Sequence, residues 1–83
     1  MYYVYFIQSV EDHKNYVGFT ANLDRRIAQH NAGASCYTSG RHWELVYYEA
    51  YRSRADAVLR EKRLKQYGKS LAMLKRRLQE SFL

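Results

Sequence analysis

The amino-acid sequence predicts an α+β fold, a three-stranded antiparallel sheet flanked by helices in the order β-β-α-β-α-α. Three segments rich in aromatic and β-branched residues have the character of strands. Three other segments carry apolar residues at helical spacing and begin beside polar capping residues. Because 83 residues supply one modest core, we expect residues 1–83 to form a single domain.

The first two strands are predicted to pair as an antiparallel hairpin. Residues 2–7 and 16–20 hold most of the tyrosine and valine of the first quarter of the chain. The polar residues 11–15 lie between them and supply the turn.

The first helix is predicted over residues 23–31. Asn22 or Thr20 can cap its start, and Asp24 is well placed in its first turn. Gly33 can end it. The small and polar residues 33–42 that follow are expected to form a loop.

The third strand is predicted over residues 43–51. Its alternation places Val46, Tyr48 and Ala50 on one face of the sheet. The other face is expected to carry Trp43, Leu45, Tyr47 and Tyr51.

Two helices complete the predicted order. Ser53 followed by Asp56 resembles a capping box, so the second helix is expected to start there, run to Tyr67 and end at Gly68. The last helix is expected to start at Ser70. Its apolar face is spaced as Leu71, Leu74 and Leu78.

The charge of the chain is unevenly distributed. Lysine and arginine number 14 against 8 aspartates and glutamates, a net charge of +6. Residues 1–51 carry 4 basic and 5 acidic side chains (4 − 5 = −1), and residues 52–83 carry 10 and 3 (10 − 3 = +7). This excess indicates an anionic partner, with nucleic acid ahead of a membrane. The alternative is a solvated helix face.

Cysteine usage and the N-terminal segment indicate a compartment. Cys36 is the one cysteine, so no internal disulfide forms and a reducing environment is favoured. The apolar run of residues 2–7 is too short for a signal peptide or a membrane span. We therefore expect a cytoplasmic protein that does not associate with membranes.

Glu61 is out of place on its predicted helix. It follows Ala57 by four residues and Val58 by three, and it precedes Leu64 by three, so it falls in the inward stripe. A carboxylate at the edge of a core needs a cation, a metal or hydrogen-bond donors. One interpretation is a functional carboxylate, and the other is an internal salt bridge with Arg26 or a bond to a tyrosine hydroxyl.

The first helix has a similar mixed face. Leu23, Ile27, Arg26 and His30 share it by spacing. Arginine and histidine one turn apart could clamp a phosphate and move a proton. The alternative is an arginine lying over the aromatic sheet and a histidine with a structural hydrogen bond.

The polar loop offers candidate substrate contacts. Tyr37, Thr38 and Arg41 could stack on a nucleic acid or donate hydrogen bonds to it. The alternative is that they are ordinary loop residues.

The two strand motifs resemble a known family. Tyr3-Val4-Tyr5, ten intervening residues and Tyr16-Val17-Gly18 look like a variant GIY-YIG nuclease signature, with Tyr3 at the position of its first glycine. Asn22-Leu23, Arg26, His30 and Glu61 extend the match. The chain is similar to the small stand-alone GIY-YIG proteins of bacteria. The resemblance implies the predicted sheet and metal-dependent cleavage of DNA phosphodiester bonds.

The resemblance also assigns roles. Tyr5 and Tyr16 match the signature tyrosines, and Gly18 matches the glycine that lets backbone pass close to the site. Arg26 matches the phosphate-binding arginine. His30 matches a position often held by histidine or tyrosine.

Glu61 matches the metal-binding glutamate of the family. The implied cofactor is one Mg²⁺ (or Mn²⁺) ion, which keeps most of its water ligands when a single carboxylate holds it. Tyr16 or His30 is then the candidate base. A free phenol ionises near pH 10, so the surrounding cations must assist if the base is Tyr16. We predict that Tyr16→Phe slows cleavage more than His30→Ala at neutral pH.

Three functions are open at this stage. The first is a metal-dependent DNA endonuclease, with a place in repair or recombination, whose basic last third holds the DNA backbone. The second is a catalytically weak or inactive nucleic-acid-binding module with the same fold. The third is a subunit that docks on a repair protein.

Overall fold

The computed structural model describes residues 1–33, 40–66 and 68–81. The order of elements is β-β-α-β-α-α, as predicted. The strands are β1 (Tyr2–Ser9), β2 (Asn15–Thr20) and β3 (Trp43–Tyr51), and the helices are α1 (Leu23–Asn31), α2 (Arg54–Gln66) and α3 (Gly68–Arg77).

β1 is the central strand of a three-stranded antiparallel sheet with the order β2-β1-β3. Tyr5 on β1 is opposite Gly18 on β2 and Tyr48 on β3. The predicted hairpin and fold class are confirmed. β1 is longer than predicted because Gln8 and Ser9 continue the pairing with β3.

The sheet lies between two helical layers. The side of β1 that carries Val4 and Phe6 packs on α2 and α3, where the main core includes Ala57, Leu64 and Leu74. The opposite side carries Tyr5 and Ile7 and packs on α1 through a smaller cluster that includes Trp43, Leu23 and Ile27. Alternation along β1 thus supplies both cores.

The prediction that Trp43 shares a face with Tyr47 and Tyr51 is wrong. The register shifts between Phe6, which is opposite Tyr47, and Ile7, which is opposite Leu45, so Val46 is an extra residue on β3. Such a bulge reverses the facing of every residue beyond it. Trp43 therefore packs beside Tyr5 and Ile7, on the α1 side.

The junction of α2 and α3 differs from the prediction. Gly68 begins α3, and Ser70 lies inside the helix rather than at its start. Tyr67, the predicted end of α2, lies outside the described residues. The predicted face of α3 is confirmed, since Leu74 is buried and Leu71 and Leu78 pack against the main core.

Two other helix predictions have different outcomes. The Asn22 side chain caps α1 by accepting a hydrogen bond from the Arg25 backbone N–H at 3.1 Å, and Gly33 follows the helix with a φ of 78°. Val58 was expected to face inward on α2, but it is exposed. Its neighbour Ala57 takes the buried position because α2 contacts the sheet along a narrow stripe.

Among the helices in the described ranges, none combines the length and the apolar character that crossing a bilayer requires.

Candidate active site

The centre of the candidate site is a hydrogen bond between a strand and a helix. The hydroxyl of Tyr5 lies 2.8 Å from Nε2 of His30. Tyr5 is 1% exposed and His30 is fully buried. The bond therefore joins β1 to the last turn of α1 in the interior of the molecule, where its loss would leave two polar groups without water.

Gly18 makes room for the Tyr5 side chain. A Cβ atom added at Gly18 would overlap the Tyr5 hydroxyl and ring. Since Gly18 is the cross-strand neighbour of Tyr5, any other residue there would displace the ring from His30. Tyr5 fills the space that the glycine leaves, so packing explains why a glycine is needed at position 18. The close approach of its backbone to a bound substrate, which the family resemblance implies, stays a prediction.

Tyr16 lies at the open side of this pair. Its ring contacts that of His30 edge to face, with centroids 4.9 Å apart. It also lies 6.4 Å from the ring of Tyr5 and 6.4 Å from that of Trp43. Tyr16 is half-buried, whereas Tyr5 and His30 are enclosed. Of the three rings, Tyr16 is the one that can meet a ligand from solvent.

Arg26 adds positive charge beside these rings. It is half-buried on the same face of α1 as His30, and Nη1 donates to Oε1 of Gln29 at 3.2 Å. A guanidinium has five N–H donors, so this bond leaves capacity for a phosphate oxygen. The predicted mixed face of α1 is thus brought against the tyrosines.

The environment fixes the protonation of the buried pair. Burial raises the pKa of Tyr5 to about 12, although Arg26 acts in the opposite direction through hydrogen bonding and charge. Burial and then the charge of Arg26 lower the pKa of His30. At neutral pH the phenol keeps its proton and the imidazole is uncharged, so the bond between them joins two neutral groups.

Glu61 reaches the same region from α2. Its side chain is 23% exposed and pairs with Lys65 one turn later, at 3.3 Å. Nζ of Lys65 lies 5.6 Å from the centre of the Tyr16 ring. The charge of Glu61 also contributes to the raised pKa of Tyr5. Its salt-bridge partner is Lys65 and not Arg26, because the turn spacing of α2 favours the local pair.

Comparison with known proteins shows the family of the chain. The family model of the GIY-YIG catalytic domain matches residues 1–80. The chain belongs to the GIY-YIG family. The family resemblance read from the sequence is therefore confirmed, and the roles that it implies for the tyrosines, arginine, histidine and glutamate stay predictions.

Small relatives of this GIY-YIG chain occur in bacteria and archaea. A UPF0213 protein of Haloquadratum walsbyi is 38% identical over 68 residues, which are 80% of this chain and 75% of that protein. A UPF0213 protein of Staphylococcus haemolyticus is 39% identical over 70 residues, 82% and 84% of the two chains. The solution NMR structure of a UPF0213 protein from Bacillus halodurans has a TM-score of 0.52 and 34% identity, and the match covers 90% of this chain and 86% of that one.

Members of the GIY-YIG family generally use a divalent metal ion, and Glu61 fits such an ion. Within the described ranges, no three histidine, cysteine, aspartate or glutamate side chains cluster to form a full ligand set. A partly exposed single carboxylate suits Mg²⁺, which is commonly bound through one or two carboxylates and retained water. The ion pair with Lys65 is a surface i,i+4 pair worth about 0.3–0.5 kcal/mol, so Glu61 can exchange it at little cost.

Of the predicted loop contacts of the GIY-YIG chain, Arg41 is the one that lies within the described residues. Tyr37 and Thr38 lie outside the described residues. Arg41 pairs with Asp12 of the β1–β2 turn, its Nε 3.0 Å from the carboxylate. This contact fastens the end of the loop to the hairpin turn, and a substrate role for Arg41 stays a prediction.

Asn31 positions the site but was not predicted from the sequence. Its Oδ1 accepts from the Trp43 backbone N–H at 2.6 Å, and its Nδ2 donates to the Trp43 carbonyl at 3.1 Å. The last residue of α1 is thereby fixed to the first residue of β3, directly beside His30. Twelve residues separate the partners, so no local spacing in the sequence indicates the contact.

Proposed function

We propose that this GIY-YIG chain is a metal-dependent endonuclease that hydrolyses DNA phosphodiester bonds. The observation that carries the proposal is the packing of Tyr5, Tyr16 and His30 in one cluster, with Arg26 beside them and Glu61 at the edge. These five side chains come from β1, β2, α1 and α2. Phosphodiester hydrolysis needs a cation for the phosphate, a group that orients water and a site for a metal, and this cluster offers each of them.

Arg26 is the proposed phosphate ligand. Its planar guanidinium can donate two parallel hydrogen bonds to phosphate oxygens, which a lysine cannot do. Because Arg26 is half-buried, its charge is less screened than that of a surface arginine. It therefore stabilises the charge that develops on the phosphate as the bond breaks.

Tyr16 is the proposed group that orients the attacking water and accepts its proton. His30 is fully buried, and its Nε2 is already bonded to Tyr5. Tyr5 holds its own proton firmly, because its pKa is about 12. Tyr16 is the half-exposed member of the cluster, so the structure favours it over His30 in this role. Tyr5 and His30 then hold the Tyr16 ring in place by packing against it.

Glu61 is the proposed metal ligand. A divalent ion held there would act as a Lewis acid on the phosphate oxygens and lower the pKa of nearby water and hydroxyl groups. The carboxylate remains partly exposed, and Nζ of its partner Lys65 lies 5.6 Å from the centre of the Tyr16 ring. Metal and water-orienting groups would thus act on one phosphate from adjacent positions.

The basic helices are proposed to hold the DNA backbone. Residues 52–83 carry a net charge of +7, and α2 and α3 lie in this range. Phosphate contacts by lysine and arginine release counterions and supply affinity that does not depend on base sequence. Placement in repair or recombination is part of the same proposal.

A second candidate is a nucleic-acid-binding module with little or no catalysis. The observation that favours it is the ion pair of Glu61 with Lys65, which occupies the carboxylate in the described structure. In this case the cluster around Tyr5 would be a structural remnant, and the basic helices would supply the function.

Cleavage of DNA by matched variants separates the two candidates. Supercoiled plasmid and branched DNA are incubated with Mg²⁺ or Mn²⁺ and with wild type, Glu61→Gln or Glu44→Gln, the last being an exposed glutamate on β3. We expect wild type and Glu44→Gln to nick equally. Glu61→Gln should be slower by at least about a hundredfold, the usual size for loss of one preorganised electrostatic group.

Two outcomes contradict the endonuclease proposal. Equal nicking by Glu61→Gln and wild type would show that the activity does not come from this site. Wild type that binds DNA without nicking it would favour the binding module.

A further inference from the structure

A pocket lies beside the candidate active site, on the same face of the sheet. It has a volume of about 420 Å³, within the range of small-molecule sites. Its walls are formed by two tyrosines on the sheet, the half-buried Tyr3 and the exposed Tyr48, and by the turn that leads into α1. The residues are Tyr3, Tyr48, Ala21, Asn22, Leu23 and Asp24.

The two tyrosines form an open aromatic corner. Their rings meet edge to face with centroids 5.8 Å apart and planes at 66°. Tyr48 is 49% exposed, so one face of its ring is available to solvent. Neither tyrosine belongs to the two core clusters.

The corner is continuous with the catalytic cluster. Tyr48 is the register partner of Tyr5, and Tyr3 precedes Tyr5 by two residues on the same face of β1. Leu23 lines the pocket and also packs against the cluster of Tyr5. A ligand in the pocket would therefore lie next to Tyr5 and its cluster, where cleavage is proposed to occur.

The charges of the pocket favour a base over a phosphate. Among the described residues that line it, none is a lysine or an arginine, and Asp24 is negative. A carboxylate repels phosphate but accepts hydrogen bonds from the amino groups of bases. The rings of Tyr3 and Tyr48 supply a stacking surface for a flat, neutral group.

Resting on the proposed function, we propose that this pocket binds one unpaired nucleobase of the nucleic-acid substrate, stacked on Tyr48 and bordered by Tyr3. A base inside a duplex is covered on both faces by its neighbours, so only a single-stranded or locally unpaired segment can place one here. The pocket thereby selects strands with an unpaired base next to the bond to be cut.

The test measures binding without cleavage. Short single-stranded DNA and RNA oligonucleotides carrying 2-aminopurine, whose fluorescence is quenched on stacking, are titrated in EDTA with wild type, Tyr48→Ala and Tyr48→Phe. Leu59→Ala, a truncation of an exposed side chain on α2, is the matched control. Duplexes of the same sequence are titrated in parallel. Circular dichroism checks that each variant is folded.

We expect Tyr48→Ala to weaken single-strand binding roughly tenfold and to remove the quenching, as loss of one stacked base predicts. Tyr48→Phe and Leu59→Ala should stay within about twofold of wild type, and duplex affinity should be the same for all four proteins. The strand on which the Tyr48 effect appears, DNA or RNA, identifies the source of the base.

Two results would overturn the inference. One is equal affinity and quenching for wild type and Tyr48→Ala, which is also the result expected if the pocket holds a side chain of a protein partner. The other is an equal loss of affinity of Tyr48→Ala for duplex and for single strand.

Failure of the proposed function is a distinct outcome, since it would appear as Tyr48-dependent binding with no nicking in Mg²⁺. Nicking without any Tyr48 effect would overturn the pocket alone.

Discussion

The bond between Tyr5 and His30 sets the chemistry of the neighbouring groups. Each side chain satisfies the other in the interior, and both are uncharged at neutral pH. A buried, mutually bonded pair is poorly suited to exchange protons with substrate. Its effect on catalysis is instead to hold Tyr16 and the last turn of α1 in place.

At the level of single residues, we predict that Tyr16→Phe slows DNA cleavage by roughly 10²–10⁴-fold, the range for loss of a positioned proton acceptor. Phenylalanine keeps the ring contact with His30, so the fold should be unchanged. The measurement is the single-turnover nicking rate at pH 7, with circular dichroism as the control.

His30→Ala should slow cleavage less than Tyr16→Phe, once the loss of folded protein is corrected for. Removing the imidazole leaves the Tyr5 hydroxyl without its partner and opens a cavity, so stability falls. Near-wild-type cleavage by Tyr16→Phe would exclude Tyr16 as the base and return His30 to that role.

A second prediction at this scale concerns pH. The pKa of His30 is lower in the folded protein than its ordinary value of 6.5. The unfolded chain therefore binds a proton first as pH falls, and the free energy of unfolding decreases below about pH 6.5. The contribution is fully present above that pH.

Urea unfolding at pH 7.5, 6.5 and 5.5 measures this effect. Wild type should lose stability across the series, and His30→Gln should have a flatter profile, because it has no proton to bind in this range. The carboxylates with lowered pKa, Glu11, Asp12 and Glu49, titrate below this window. The same slope in both proteins would assign the loss to another group.

At the level of the elements, a carboxylate on β3 holds α2 against the sheet through hydrogen bonds. Glu49 of β3 accepts two hydrogen bonds from Arg60, at 2.8 and 3.0 Å. It also accepts from the hydroxyls of Tyr47 and Tyr51. Burial alone would raise the pKa of Glu49, but these donors outweigh it and hold the pKa below its ordinary value. Glu61 directly follows Arg60 on α2, so the same contacts help to position it.

We predict that Glu49→Gln lowers the free energy of unfolding by roughly 2 kcal/mol, because Arg60 loses its charged partner in a partly buried setting. Cleavage should fall as well, since α2 carries Glu61. Glu44→Gln on the same strand is the control and should change stability by less than about 0.5 kcal/mol. Equal stability of the two variants, measured by urea unfolding, would contradict this account.

The sequence predicts most of the elements, and its errors have physical causes. The helix over residues 23–31 follows from Asn22, whose side chain caps it as expected. The bulge at Val46 was missed because β-bulges depend on pairing with β1, which alternation within β3 does not reveal. The start of α3 was placed at Ser70 because serine caps helices well, but Gly68 begins it.

For the candidate site, the spacing on α1 and the two tyrosine motifs indicated side chains that the structure brings together, and their functional roles stay predictions. The sequence could not predict the hydrogen bond between Tyr5 and His30, because these residues are 25 positions apart. It also missed the fixation of α1 by Asn31 and the ion partner of Glu61. Each of these depends on which layers meet in three dimensions.

In the whole molecule, most of the basic helices and the aromatic rings of the candidate site lie in different layers, while Glu61 belongs to the basic layer. The helices of the basic third, α2 and α3, pack on the face of the sheet opposite α1. The rings of the candidate site lie on the α1 side, and Lys65 meets Tyr16 at the β2 edge. If the chain acts on DNA as proposed, the backbone that contacts the basic layer has to pass around this edge to reach Arg26.

The central strand gives the site a further property. β1 supplies Val4 and Phe6 to one core and Tyr5 and Ile7 to the other, so neither helical layer can detach without exposing it. Tyr5 is therefore held by the strand that both cores share, and its orientation is set by the packing of the folded domain. A site anchored in this way loses its geometry when the whole domain unfolds, and not through local fraying.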